Sequence, residues 1–263
     1  MELNLTNKVV MIAAASKGMG YAIARQCARE GAQVSMASRS KKQIEAAAER
    51  IRKETSSHVT PFVFDAADGD SIERWTADTL KTYGRINGLL VNAGGPPTGL
   101  FDQFDDKDWQ AAFDLTLMSA VRMMRSVIPS MKQQGGGSIL TITSSSVKEP
   151  IDVLILSNVM RSGVTSLVKS LSQQLAKDKI RVNNIIPGFI DTQRLSAIDA
   201  QAASQFGITL EQRREQVAST IPWKRYGKPE EFAKAATFLL SEAASYITGV
   251  SLSVDGGRMK TVW

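Results

Sequence analysis

The sequence predicts an α/β fold: a doubly wound parallel sheet of about seven strands, covered by helices on both faces and built as a single domain over residues 1–263. Three observations carry this expectation. Short runs rich in Val and Ile alternate with longer amphipathic stretches, the pattern of successive βαβ units. The first apolar run passes into a glycine-bearing turn that opens a helix, "AAASKGMGYAIARQCARE". A length of 263 residues suits one large domain with a substantial core better than two small ones.

The elements follow in order. "KVVMIAAA" (8–15), "QVSMAS" (33–38), "HVTPFVFD" (58–65), "INGLLVNAG" (86–94), "GSILTITS" (137–144), "IRVNNIIPG" (180–188) and "VSLSVDGG" (250–257) read as strands. Helical patterns lie between them at about 18–30, 40–55, 69–83, 105–133, 155–178 and 229–241. In "KQIEAAAERIRKE", for example, Ile44, Ala47, Ala48 and Ile51 fall on one stripe. Residues 189–228 break the alternation with mixed helical, charged segments. An insertion beyond the C-terminal end of a strand in such a sheet is expected to cover the ligand crevice.

Composition narrows the function. Hydrophobic residues are 43% and charged residues 22%, with no apolar run of the roughly 18 residues that a membrane span needs. The N-terminal "MELNLTNKVV" lacks the pattern of a signal peptide. The one cysteine, Cys27, excludes an intramolecular disulfide, and a cytoplasmic location is expected. His58 is the only histidine, so neither a His-based triad nor a His-rich metal site is expected. The net charge of +6 suits a phosphorylated cofactor or an acidic partner, and equally an ordinary Lys-rich surface; no basic stripe points to nucleic acid.

The turn after the first strand contains Ser16, Lys17, Gly18, Met19 and Gly20. Glycines there let the backbone approach a pyrophosphate, which rests on the helix N-terminus in a Rossmann-type fold. The second strand ends "MASRSKK", without the carboxylate that would bind a ribose 2′-hydroxyl. Arg39, with Ser40 and Lys17 nearby, instead suits a 2′-phosphate, so NADP(H) is expected over NAD(H).

With these motifs in place the chain resembles the short-chain dehydrogenase/reductase family, and within it the 3-oxoacyl-carrier-protein reductase-like members. The family's first-turn pattern T-G-x-x-x-G-x-G maps onto Ala13 to Gly20, with Ala14 replacing the first glycine. Its N-N-A-G segment maps onto Val91, Asn92, Ala93 and Gly94, its proline-glycine onto Pro187 and Gly188, and its late "ITGxxxxVDGG" onto Ile247 to Gly249 and Val254 to Gly257. The resemblance covers nearly the whole chain. It implies that Asp65 and Ala66 border the adenine, that Asn92, Ala93 and Gly94 lie along the ribose, and that Pro187, Gly188, Ile190 and Thr192 lie near the nicotinamide.

The resemblance also implies a catalytic face, and there the chain departs from the family's pattern. The family uses Ser to hold the substrate oxygen, Tyr as acid, Lys to lower the tyrosine pKa and bind the nicotinamide ribose, and Asn to anchor a water relay. Ser144 stands at the serine position. Thirteen residues on, Ser157 stands where Tyr is expected; four further, Arg161 stands where Lys is expected; and Thr116 occupies the Asn position. Of the four tyrosines, only Tyr226, in "WKRYGKPEE", is in a segment that would approach the site, and all four positions read as packing. Ser144, Ser157 and Arg161 are therefore the candidate catalytic residues. Arg161 is expected to bind the cofactor ribose and add positive potential, and Lys148 is the nearby group able to act as an acid.

The expected function is an NADP(H)-dependent oxidoreductase of a carbonyl or alcohol, with a 3-oxoacyl thioester among the substrates considered, working with atypical acid/base residues. The alternatives are an inactive NADP(H)-binding sensor or partner subunit, and an enoyl-type double-bond reductase. An acidic acyl carrier protein is a candidate partner. A homodimer or homotetramer is expected through the helices of 105–133 and 155–178, the pairing that the resemblance implies, because "LTLMSAVRMM" and "SGVTSLVKSLSQQLA" read as apolar over more than one face, which a monomer would leave exposed. Met160, Leu195, Phe206 and Trp223 are candidates for either an apolar pocket or core.

Overall fold

Seven strands form one parallel sheet in the order β3-β2-β1-β4-β5-β6-β7 in the computed structural model, which describes residues 2–262. They are β1 (Val9–Ile12), β2 (Gln33–Ser38), β3 (Val59–Val63), β4 (Gly88–Val91), β5 (Gly137–Ile142), β6 (Ile180–Pro187) and β7 (Ser251–Val254). The helices are α1 (Gly18–Arg29), α2 (Lys41–Thr55), α3 (Gly69–Tyr83), α4 (Asp106–Ala112), α5 (Ser119–Gln133), α6 (Ile155–Gln174), α7 (Gln193–Phe206), α8 (Leu210–Ser219) and α9 (Pro229–Leu240). Strand order reverses between β1 and β4, which opens a crevice at the C-terminal edge of the sheet. In register, Ile12 on β1 lies opposite Met36 on one side and Leu90 on the other.

The central strands are buried on both faces, as a parallel sheet requires. Successive side chains point to opposite faces. Val10 and Ile12 join Ile23, Cys27, Ile44, Ile51, Phe232 and Leu239 under α1, α2 and α9. Met11 and Ala13 join Trp75, Leu89, Met123, Val127 and Val164 under α3, α5 and α6. Each large apolar side chain fully buried contributes about 1.5–3 kcal/mol. Cys27 is buried among them, and burial raises its thiol pKa to about 12.

Two details differ from expectation. The long helical pattern at 105–133 is divided: α4 passes through a π-type segment, Phe113–Met118, into α5. Nor do the long helices leave broad apolar faces bare. Among large exposed apolar side chains, Val159 is the one that belongs to α5 or α6, because their other outward leucines, such as Leu167 and Leu171, are half-buried against the core.

Candidate active site

The end of β5 is set by a buried polar network. Thr141 and Thr143 each donate to the Asn184 side-chain oxygen of β6, at 2.8 and 2.9 Å, and Asn184 donates to Ser251 of β7 at 3.2 Å. With all three strands tied together, the chain leaves the sheet at Ser144 in a fixed direction. Ser144 caps the short turn that follows, accepting a hydrogen bond from the Ser146 amide at 3.2 Å.

α6 brings Ser157 and Arg161 to the same place, one helical turn apart on one face. Ser157 is buried, and its hydroxyl accepts from Arg161 Nε at 3.2 Å. Arg161 Nη1 donates to the carbonyl oxygens of Ile142 at 2.9 Å and Thr143 at 3.5 Å, the two residues before Ser144. The guanidinium is thus pinned across the end of β5. Burial, and then the nearby Arg194, hold its pKa down to about 10, which leaves it charged at neutral pH.

Both serines accept a bond from a neighbour, and among the described residues neither donates its hydroxyl hydrogen to a protein acceptor. Thr116, in the π-type segment, is buried and its hydroxyl has no protein partner. It lines a cavity of about 20 Å³ with Asn92, Ser119, Thr141 and Arg161. That is room for about one water molecule. π-type turns recur at functional sites, and this one aims Thr116 at the Arg161 end of α6.

No phenol takes the place of Ser157. Tyr226 is buried and donates to the Asp199 carboxylate at 2.9 Å, under the Arg214 guanidinium 4.4 Å from its ring centre. Burial and then the Asp199 carboxylate push its pKa well up. The Tyr83 hydroxyl pairs with Thr60 at 2.7 Å, and Tyr21 lies beneath Arg50. Tyr246, expected to pack, is fully exposed. Lys148 lies half-buried just after the Ser144 turn.

The dinucleotide residues occupy the crevice edge. Gly20 packs so closely that a Cβ there would stand 2.5 Å from the Ala14 carbonyl oxygen. Lys17 precedes α1 in extended conformation and makes no side-chain cap, so the helix N-terminus carries no protein anion. Thr192 caps α7 and leans on Gly18, where a Cβ would lie 3.6 Å from its methyl. Asn92 donates to the Ala13 carbonyl at 3.4 Å, and beyond the chain neighbours of Gly94 no heavy atom of the described residues lies within 4 Å of where its Cβ would be. The Asp65 carboxylate accepts from the Ala67 amide at 3.0 Å, and Ala66 is buried. Arg39 is exposed and forms no ion pair among the described residues, whereas Ser40 caps α2. Gly188, after Pro187, donates to the Val254 carbonyl at 2.9 Å, and Ile190 bridges to Gly227. These residues fit a dinucleotide: a bare helix N-terminus, open space over Gly94 and a free guanidinium beyond β2.

Residues 189–228 fold as α7, α8 and a return segment. The Tyr226–Asp199 bond and the Arg214–Asp191 ion pair at 2.9 Å tie them together. Of the apolar candidates, Met160 belongs to a small core cluster with Ala112 and Leu156, while Phe206 and Trp223 point to solvent. Leu195 is half-buried at the start of α7. Arg194 and Arg258 at this crevice carried no motif in the sequence. A second cavity, about 230 Å³ and polar, lies at the opposite edge of the sheet around Lys8, Asn87 and Arg181, away from these residues.

Sheet order, switch-point crevice and glycine turn define a Rossmann protein of the dinucleotide-binding class. The family model described as enoyl-(acyl carrier protein) reductase matches residues 13–258. Dehydrogenase/reductase SDR family member 4 of Bos taurus is 33% identical over 256 residues, covering 97% of this chain and 88% of the relative. A 3-oxoacyl-[acyl-carrier-protein] reductase of Thermotoga maritima is 31% identical, covering 97% and 99%. The crystal structure of L-sorbose reductase from Gluconobacter frateurii, complexed with NADPH and L-sorbose, superposes with a TM-score of 0.96 at 30% identity over 100% of both chains. The chain belongs to the short-chain dehydrogenase/reductase family.

Proposed function

We propose that the protein is an NADPH-dependent reductase of a carbonyl compound in which Ser144, Ser157 and Arg161 receive the charge that develops on oxygen. NADPH, when bound, supplies a hydride to the carbonyl carbon. The oxygen then takes a proton, and the products are an alcohol and NADP⁺. Lys17, Gly18, Met19 and Gly20 would hold the pyrophosphate, Arg39 and Ser40 the 2′-phosphate, Asp65 and Ala66 the adenine, and Thr192 the nicotinamide end. The likeness to an NADPH-bound reductase over the full chain supports this assignment.

One observation carries the chemistry: both serine hydroxyls keep a hydrogen free to donate, and Arg161 donates to Ser157 from behind. A hydroxyl polarised by a guanidinium is a stronger donor to an oxyanion than a hydroxyl alone. Neither serine is acidic enough to replace a phenol as proton source, so the proton comes from water or from Lys148. Losing a positioned acid slows such an enzyme by about 10²–10⁴-fold without abolishing hydride transfer.

The absence of a reachable phenol favours a second reading, reduction of an activated double bond. Hydride addition there leaves an enolate whose charge also rests on a carbonyl oxygen, and the final proton goes to carbon. NADPH consumption with a panel of ketones and of enoyl thioesters separates the two readings. Ser157→Ala should lower turnover by about 10²–10³-fold, the cost of one lost oxyanion donor. Restoring the family pair, Ser157→Tyr with Arg161→Lys, should raise ketone turnover. Tight NADPH binding with no turnover in either panel would make the protein a nucleotide-binding sensor or partner subunit instead.

A further inference from the structure

Two arginines at the crevice, Arg161 and Arg194, have no carboxylate partner among the described residues. Arg161 spends Nε and Nη1 on Ser157, Ile142 and Thr143, and its Nη2 makes no hydrogen bond among the described residues. Arg194, in the first turn of α7, lays its guanidinium on Gly95, where a Cβ would stand 2.6 Å from its Nη2. Arg161 lines a small cavity with Asn92 and Ala93, the latter two residues before the Gly95 on which Arg194 lies. Neither arginine forms an ion pair among the described residues. Arg258 stacks on Phe189 at 4.9 Å, with its Nε buried and without a partner.

The acids nearby in the chain are already engaged. Arg214 holds Asp191 at 2.9 Å, the Lys260 amide occupies Glu149 at 2.7 Å, and the Gly257 and Met259 amides occupy Asp255 at 3.0 and 2.8 Å. Keeping the half-buried Arg161 charge without a counter-ion is costly, whereas Arg194 is exposed and hydrated. The cost is removed if the ligand brings the counter-ion.

We propose that the substrate carries its own carboxylate close to the reacting carbon, and that Arg161 and Arg194 bind it. The inference rests on the reductase reading of the crevice and names its substrate class: small oxo acids. Position selects the carboxylate over other anions. Arg161 is bonded to Ser157 itself, so its free Nη2 is within one small molecule's length of the carbonyl oxygen. The phosphates of a carrier thioester are a long pantetheine arm away from the reacting carbon. The cofactor pyrophosphate is assigned to the start of α1, over Gly18 and Gly20; Thr192, two residues before Arg194, touches Gly18, so the NADPH affinity of an Arg194 variant separates the two anions.

The test compares pyruvate, acetoacetate and levulinate with their methyl esters as substrates of the full-length protein with NADPH. Acetoacetyl-CoA beside the acetoacetyl thioester of N-acetylcysteamine reports on a carrier phosphate. Thermal shift of the NADPH complex by each acid and ester gives a readout independent of turnover. The expected result is at least about a tenfold preference in kcat/KM for one acid over its ester, the size of a charge-assisted contact. That ratio should fall towards one in Arg194→Gln and be partly kept in Arg194→Lys. Equal handling of acids and esters would overturn the proposal. So would a preference confined to the CoA thioester, or an Arg194→Gln variant that loses NADPH affinity while keeping its acid preference. An acid that stabilises the NADPH complex through Arg194 but is never reduced would uphold the anion site and sink the reductase reading instead.

Discussion

Ala14 stands where the family motif has its first glycine, and its φ of +51° lies in the left-handed region. An L-residue other than glycine costs roughly 1–2 kcal/mol there, while glycine adds about 0.4–1 kcal/mol of unfolded-chain entropy. Ala14→Gly should therefore stabilise the protein by about 0.5–1 kcal/mol. For a chain of this size that is a rise in Tm of about 2 °C, measured by calorimetry. An unchanged or lower Tm would show that the turn relaxes around alanine. Arg39 makes the second residue-scale prediction. It is exposed, unpaired and placed just after β2. Arg39→Ala should weaken NADPH binding by about ten- to a hundredfold and leave NADH nearly unchanged, as read by fluorescence titration. Equal affinity of the parent for NADH and NADPH would remove the assignment. Both residues were legible in the sequence, since a turn motif and a strand end are local. Arg194 was not. Its approach to Gly95 joins positions 99 residues apart, and nothing in "IDTQRLS" marks it.

At the scale of elements, α9 shows how local chemistry sets an end. Pro229 opens the helix, and Glu231 accepts from the Lys228 amide at 2.7 Å. Both Glu231 oxygens also take Arg225, at 2.7 and 2.8 Å. The Arg225 bond, and then the Lys228 amide, hold the Glu231 pKa down to about 2. A carboxyl whose folded pKa is depressed stabilises the fold above its unfolded value, and that contribution is lost as pH falls through the folded one. Glu231→Gln should thus lower Tm slightly at neutral pH, the effect kept small by the exposure of the pair. The gap to the parent should shrink between about pH 4.5 and pH 2. A gap constant across that range would mean that the charge contributes nothing. The seven strands and the buried stripe of α2 were readable from periodicity, because a pattern of burial is written into the residues that bury. The π-type segment was not readable. Its widened turn carries no residue signature in "FDLTLM", and its Leu117 packs against Gly163 of α6, 46 residues on. Likewise Ser144 is a motif position, but the Thr141–Asn184–Ser251 network that aims it spans three strands and depends on their order.

At the scale of the whole molecule, an exposed apolar surface lies beside the start of α6. The segment after β4 and the turn before α6 meet at a parallel bridge, Gly99 to Leu154, with the Gly99 amide bonded to the Val153 carbonyl at 2.8 Å. Leu100, Phe101 and Val153 gather there, exposed by 47%, 71% and 49%, and Phe101 has only the edge of Trp109 at 6.2 Å for company. Val159, 48% exposed, is the bare apolar side chain of α6. Clustered apolar surface of this kind is characteristic of contact surfaces, and closed symmetric assemblies place the same patch against itself. The expected assembly through the long helices is therefore proposed to rest on the α4 and α6 ends more than on the middle of α5, whose outward side chains are half-buried or polar. Light scattering at micromolar concentration should give a multiple of the 28.6 kDa chain mass. Phe101→Glu combined with Val159→Glu should shift the protein towards the single chain, because the like charges would be buried without a partner. A parent mass of 28.6 kDa would overturn the assembly. An oligomer untouched by both changes would place the interface elsewhere, on surfaces that the exposure pattern does not mark.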